Sequence, residues 1–466
     1  MGVPLVLVRG RVFFDSTGIP TEIPVLLTPD GVVYQLLDYF LLRQDEKSNS
    51  WMRKVGRAVI LLLEYKFANP TMPLDQRFFT MFAKRLGTGS IDPLSGEDLS
   101  GLGWTALSPT EKRHVIQRLT NFFEHVAATS PEAAKLNPLV TASAFEQGLQ
   151  DVAYQHMRFS AFLGHTWQTA EERHTSTMPM VRGERPAKVE KRQPARFPDQ
   201  HLMNLLMEGF KTRIGLNYRD ILITLLLNGG GVRVSEPFHL FPSDVMPNPY
   251  RPEQALVLIH HPIEGGVPDD WVDSRGRPRR GNRGQYLRER WGIIPRKQML
   301  GGKEAGWKGG THEAQGAARF HKVHWFVPEF GEMFLYFWYL YLEQLISIER
   351  NHPFAFVNLW REPKGAMYSI NKFRASHDAA VHRIGLNVSK AEGTTPHGHR
   401  HAYGKRAKKA RLDVDLRRRM MHHTSLESMD VYTAPTEQEI EEALAQGVFN
   451  LEGGLELARS IRSAMS

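Results

Sequence analysis

Cysteine is absent from all 466 residues. That absence removes disulfide frameworks, thiolate zinc sites and thiol nucleophiles, and it fits an intracellular protein. Long apolar runs are missing too. The most apolar stretch, residues 333–345, falls short of a bilayer span and carries Glu343 and Gln344 near its end. The opening MGVPLVLVRGRVFFDS has a short apolar run, but no basic region before it and no clear cleavage site. It reads as a strand, not a signal peptide. A carboxylate cluster of the kind a metal-dependent nuclease needs is also lacking. No membrane segment, metal or cofactor is expected.

What is present is ordinary apolar content, 41%, with a net charge of +9 and an isoelectric point of about 9.5. The first marks a folded protein, and the second suggests an anionic partner, nucleic acid before others. The length accommodates two or three domains.

Residues up to Asp30 alternate apolar and polar side chains between Gly and Pro breaks, which predicts a small β element. From Tyr34 the period turns helical. Trp51, Val55, Val59, Leu62 and Leu63 mark one helix face. Ser108, Pro109 and Glu111 form a capping box that opens a helix with Val115, Ile116, Leu119, Phe122, Phe123 and Val126 inward. Residues 1–180 therefore read as a mostly helical domain with its own core. Residues 181–197 are rich in Pro and basic residues and read as a linker. Its cations Arg182, Arg185, Lys188, Lys191, Arg192 and Arg196 are either a solvated tether or a strap along phosphates.

A second domain is expected over residues 198–466. Helical patterns run through Leu202, Leu205, Leu206 and Phe210, through 218–226 up to Gly229, Gly230 and Gly231, and through 334–345 and 370–384. Residues 256–260 and 322–327 read as strands. The polar stretch between them, about 262–318, is a long insertion, either functional or partly disordered. The aromatics of 334–341 read as core. The expected class is mainly α with small β elements, α+β. A tail of about 434–466 follows, with an amphipathic helix around Ile440, Ala443 and Leu444.

Residues 395–433 gather His397, Arg400, His423 and Tyr432 in a basic segment. Such a set suits attack on a phosphodiester: phenol as nucleophile, guanidinium on the non-bridging oxygens, imidazole for the proton. His397 and Arg400 are one helical turn apart, and Tyr432 follows His423 by 432 − 423 = 9 residues. Far upstream, Arg233 follows the glycines and precedes Ser235 and Glu236. Alternating His397, His399 and His401 could share a metal on a strand, but the segment after Pro396 reads as a helix, which splays them apart. The run Lys405, Arg406, Lys408, Lys409 and Arg411 is either a solvated face or a set of phosphate contacts.

Together GVRVSE, HGHRH, HHTS and VYT, in that order over residues 197–433, resemble the tyrosine recombinase (phage integrase) family. The HGHRHAYG wording and the expanded insertion look more like integrases of the gamma-mobile-trio type. The helical N-terminal part is similar in character to the family's core-binding domain. The resemblance implies a DNA-binding N-terminal domain joined to a recombinase catalytic domain. It implies a site-specific recombinase or integrase, with a type IB topoisomerase-like enzyme or a catalytically silent DNA-binding protein as alternatives.

The resemblance also assigns roles. Tyr432 would form a 3′-phosphotyrosine bond, Arg233 and Arg400 would neutralise the transition state, His397 would act as base or orienting donor, and His423 would bond the phosphate. The family's general acid is a hairpin lysine. Lys308 is chosen here, with Lys303 and Lys322 open. His399 stands where the family usually has leucine. Double-stranded DNA, a homo-oligomer of two to four copies, accessory proteins, tail docking in cis or in trans, and a cytoplasmic, nucleoid-associated location in a bacterial-type cell complete the expectation.

Overall fold

The alternating opening folds into an antiparallel sheet of β1 (Val6–Val12), β2 (Thr21–Thr28) and β3 (Gly31–Val32), with Val6 opposite Leu27 and Val12 opposite Thr21. The computed structural model containing it describes residues 4–13, 15, 16, 18, 20–128, 130, 133, 136–160, 177–184, 194–310, 312–315, 318–410 and 412–422. The chain divides into two units, Met1–Lys188 and Val189–Ser466. The architecture is α+β, mainly helical with small antiparallel sheets.

In the first unit α1 (Tyr34–Arg43), α2 (Asn49–Ala68), α3 (Gln76–Thr88) and α4 (Pro109–Val126) pack on that sheet around one core. Phe78, Phe79 and Phe82 are fully buried on α3, each stabilising by roughly 1.5–3 kcal/mol through area alone. The Ser108–Glu111 box is formed as its sequence predicts, serine accepting from the Glu111 amide and glutamate accepting from the Ser108 amide. Beyond it β4 (Leu139–Thr141) pairs with β5 (Thr177–Pro179), and α5 (Ala144–Ser160) lies between them in sequence.

The second unit opens with a tight helical turn that includes α6 (Leu202–Asn204) and a π turn over Leu205–Gly209. The small hairpin β6 (Lys211–Thr212)–β7 (Gly215–Leu216) follows. Helix α7 (Tyr218–Asn228), capped by Asn217, is buried along its whole length and forms the centre of the core. A four-stranded antiparallel sheet has the order β10 (Glu313–Gln315), β11 (Ala318–Lys322), β9 (Arg251–His260), β8 (Val245–Asn248). Helices α9 (Pro328–Ile346), α10 (Ile370–Arg383), α11 (Pro396–Lys409) and the short α12 (Val414–Met420) complete the unit. Among the described residues no helix is long and apolar enough to cross a membrane.

Three expectations need correction. The strand read over 322–327 ends at Lys322. One further bond, Val323 N to Val257 O at 3.0 Å, extends the pairing, and the chain then runs as a connector to Pro328 at the head of α9.

The insertion over 262–318 is folded. It carries α8 (Arg283–Trp291), and Trp271, Tyr286, Leu287 and Met299 form their own core against Phe241 and Phe354. Two of its arginines are internal staples. Arg283 bonds Asp244, Gly266 O and His239 O, while Arg296 bonds the carbonyls of Lys303, Phe238 and Tyr368.

Of the α9 aromatics, Phe334, Phe337, Trp338 and Tyr341 are buried, but Tyr336 and Tyr339 are 62% and 49% exposed. The helical period turns those two outward.

Candidate active site

Helix α7 ends in three glycines because the chain must turn sharply there. Gly231 has φ +66°, and a Cβ at that position would sit 2.4 Å from the Tyr403 ring. The turn delivers Arg233, whose amide bonds Glu236 Oε2 at 2.7 Å and whose Nη1 bonds Glu236 Oε1 at 2.8 Å. Glu236 is buried, and its carboxyl is held down at about 2. Burial opposes that shift, and the charges of Arg233, Arg400 and then His422 and His321 outweigh it. The carboxylate orients the guanidinium. Arg233 also donates from Nη1 to Gly309 O at 3.2 Å and from Nη2 to His422 O at 3.3 Å. These contacts do not exhaust its N–H donors.

Helix α11 begins at Pro396 and presents His397 and Arg400 in its first turns. Arg400 is buried. It donates to Gly231 O and, from Nη2, to Met421 O at 2.6 Å. The two guanidiniums thus reach the consecutive carbonyls of Met421 and His422 from separate segments of the sequence. His397 is exposed, with its ring 4.4 Å from that of His401 at 74°. Desolvation of the ring by the groups packed around it pushes its pKa down, followed by the positive charges of Arg400, Lys308, Arg233 and Lys390. All four cations therefore lie within electrostatic range of the imidazole.

Lys308, an exposed residue in the loop before β10, acts on His397. Lys303 acts on His352 instead, and Lys322 acts on His324. The carbonyl of Lys322 accepts from His422 Nε2 at 3.0 Å. Because a carbonyl only accepts, His422 carries its proton on Nε2. His422 stands at φ +53°, the only described non-glycine residue with positive φ. Burial, then Arg400, pushes its pKa down to about 4.

His399 faces the other side of α11 from His397 and is fully buried. Its tautomer can be deduced. Arg406 Nη2 donates to Asn228 Oδ1 at 2.8 Å, which directs the Asn228 amide nitrogen to His399 Nδ1 at 2.9 Å. His399 therefore donates from Nε2 to His377 Nε2 at 2.8 Å. Phe197 stacks on the His399 ring at 4.2 Å. Among the described residues no group of three or more histidines and carboxylates could hold a metal ion.

Among the basic residues, Arg406 is engaged within the unit by Asp199 and Asn228, Lys405 is buried, and Arg182 pairs with Glu146. The backbone of Arg196 lies against Gly393. Arg185, Lys188, Lys191, Arg192, Arg411, His423, Tyr432 and the tail over 434–466 lie outside the described residues. Sequence reasoning quoted Glu236 without a role and overlooked His422 and the Arg406–Asn228–His399–His377 chain. The three-residue step from Arg233 to Glu236 was the available signal for the first.

No family model and no curated protein matches the chain. Among solved structures it is similar to the XerH site-specific recombinase bound to palindromic difH substrate in a post-cleavage complex. Identity there is 13% over 85% of this chain and 79% of that one, with a TM-score of 0.46. It is also similar to the Tn1549 transposon integrase in complex with circular intermediate DNA, at 11% identity over 88% and 98% of the two chains, TM-score 0.41. A lambda integrase dimer bound to a COC′ core site is 9% identical over 86% and 77%, TM-score 0.40.

Proposed function

We propose that this chain is a site-specific DNA recombinase that cuts and rejoins strands through a 3′-phosphotyrosine intermediate. The observation that carries the reading is the convergence of Arg233 and Arg400 on Met421 and His422, immediately before His423, with His397 and Lys308 in electrostatic range. Two guanidiniums, a neutral imidazole and an ammonium form a site for an anion that gains charge during reaction.

In this reading Tyr432 Oη attacks the phosphorus, and its proton passes to His397, which desolvation and then its cationic neighbours favour in the neutral form able to accept it. Arg233 and Arg400 hold the non-bridging oxygens, with His423 as a further donor to the phosphate. The P–O5′ bond breaks and the leaving oxygen takes a proton from Lys308. The phosphodiester is conserved as a phosphotyrosine, and attack by a 5′-hydroxyl reverses the step. Removing either arginine would slow cleavage by roughly 10²–10³-fold.

The finer reading, an integrase of the gamma-mobile-trio type serving a mobile element, draws support from the HGHRHAYG segment and the folded insertion over 262–318. DNA as partner follows from the same site and from the net charge of +9, and assembly of two to four copies from strand exchange between two duplexes.

The test uses nicked duplexes recovered by adduct formation from a randomised pool. Wild type should give a denaturation-resistant protein–DNA adduct, and Tyr432→Phe should give none. An adduct that survives in Tyr432→Phe, or an active wild type that yields none, would overturn the mechanism. Relaxation of supercoiled plasmid without exchange between sites would point to a topoisomerase.

A further inference from the structure

Lys308 sits on a loop, and a general acid on a loop is effective only if something fixes the loop. The structure holds such a device in a set of aromatic rings drawn from separate segments. Trp307, the residue before the lysine, lies nearly parallel to His321 of β11, with centroids 5.1 Å apart at 10°. His321 is parallel in turn to His312, at 4.4 Å and 10°, and to His422, at 4.1 Å and 11°. His239 and His261 close on the Trp307 ring edge-on, at 5.4 and 5.6 Å.

On the other side of the lysine, Gly309 O accepts from Arg233 Nη1, while Arg233 Nη2 holds His422 O. Gly310 passes so close to His422 that a Cβ there would lie 2.5 Å from its carbonyl oxygen and 3.0 Å from the His321 ring, at φ +154°. The lysine is bracketed by an aromatic anchor before it and a glycine contact after it. Both anchors are made on His321 and His422.

We propose that Trp307 and His321 are positioning residues that fix Lys308 in register with the segment leading to His423 and Tyr432. The inference rests on the assignment of Lys308 as general acid and adds the means by which its ammonium is held. His321 is the shared element, because its ring contacts both the lysine's neighbour and His422. Its two ring nitrogens have no hydrogen-bond partner among the described residues. The ring is therefore kept for its faces and not for its polar atoms. A buried phenylalanine would serve the stack as well.

The readout is the ratio of cleavage on a duplex with a 5′-bridging sulfur to cleavage on the ordinary 5′-oxygen duplex, since a thiolate leaves without a proton donor. Lys308→Ala should lose roughly 10²-fold or more on oxygen and be rescued by sulfur. Trp307→Ala should behave in the same way, whereas Trp307→Phe and His321→Phe, which keep a flat ring, should stay within a few-fold of wild type on both substrates.

A misfolded variant fails on both substrates alike, so rescue by sulfur certifies the fold as well as the defect. Equal loss on the two substrates in a Trp307→Ala that melts with wild type, or no loss on either, would overturn the inference while the lysine assignment stood. Failure of sulfur to rescue Lys308→Ala would overturn the assignment and the inference together, and an adduct still lost in Tyr432→Phe would show that the phosphotyrosine reading survives both.

Discussion

Glu236 shows how much one buried carboxylate can organise. It touches Arg233 through both backbone and side chain, and it lies in the field of Arg400 as well. Glu236→Gln keeps the shape but removes the charge, and because both carboxylate oxygens accept from Arg233, one bond becomes an ordinary one and the other is lost where the amide nitrogen faces an N–H. Stability of the second unit should fall by about 1.5–3 kcal/mol in urea titration. Cleavage should fall further than His397→Ala can explain, because the guanidinium loses its orientation. A variant as stable and active as wild type would show that Arg233 is held by Gly309 and His422 alone.

At the scale of elements, α7, α10 and α11 are tied by the directional chain from Arg406 through Asn228 and His399 to His377. His399→Leu inserts an apolar side chain of similar volume but strands the Asn228 amide and the His377 nitrogen in the core. Each unpaired group costs about 1–3 kcal/mol. The loss should appear in thermal melts, and His377→Leu added to His399→Leu should recover part of it. If the single variant melts with wild type, the chain contributes nothing net.

The elements differ in how far their sequence revealed them. Helices α4 and α7 and the turn bearing Arg233 were legible because caps, apolar period and glycines are local signals. The insertion was not. Its core joins Trp271, Tyr286, Leu287 and Met299 to Phe241 and Phe354, and no period links residues so far apart. Lys308 had no local mark to separate it from Lys303 and Lys322. The difference lies in which histidine each acts on electrostatically, and that is set by tertiary packing. Arg406 read as a surface cation because a helical run of Lys and Arg does not reveal which face meets Asp199.

The described part of the second unit holds several histidines that burial keeps neutral. Burial, the leading cause in each case, pushes His239 and His260 down to about 3, His261, His352, His401 and His422 to about 4, and His321 to about 2. Below the ordinary value of 6.5 the unfolded chain takes up protons that the folded one refuses. Their contribution is complete above about 6.5 and declines as pH falls toward the folded values, by up to about 1.4 kcal/mol per pH unit for each ring. Glu236 does not offset this, since its own contribution is lost only between its ordinary 4.5 and about 2. Melting temperature should therefore drop steeply between pH 6.5 and 4.5. A flat profile by circular dichroism would refute the neutral-histidine account.

The grip of Arg400 on Met421 O and of Arg233 on His422 O has a mechanical consequence. A pull on the chain beyond residue 422 is delivered along the backbone to these two carbonyls, and the arginines resist it side by side. In a tethered-molecule experiment residues 421 and 422 should part from the arginines at one discrete force, set by two charge-assisted bonds breaking together. In the proposed reaction phosphate would draw on the same two side chains, so that rupture force should shift when DNA is added.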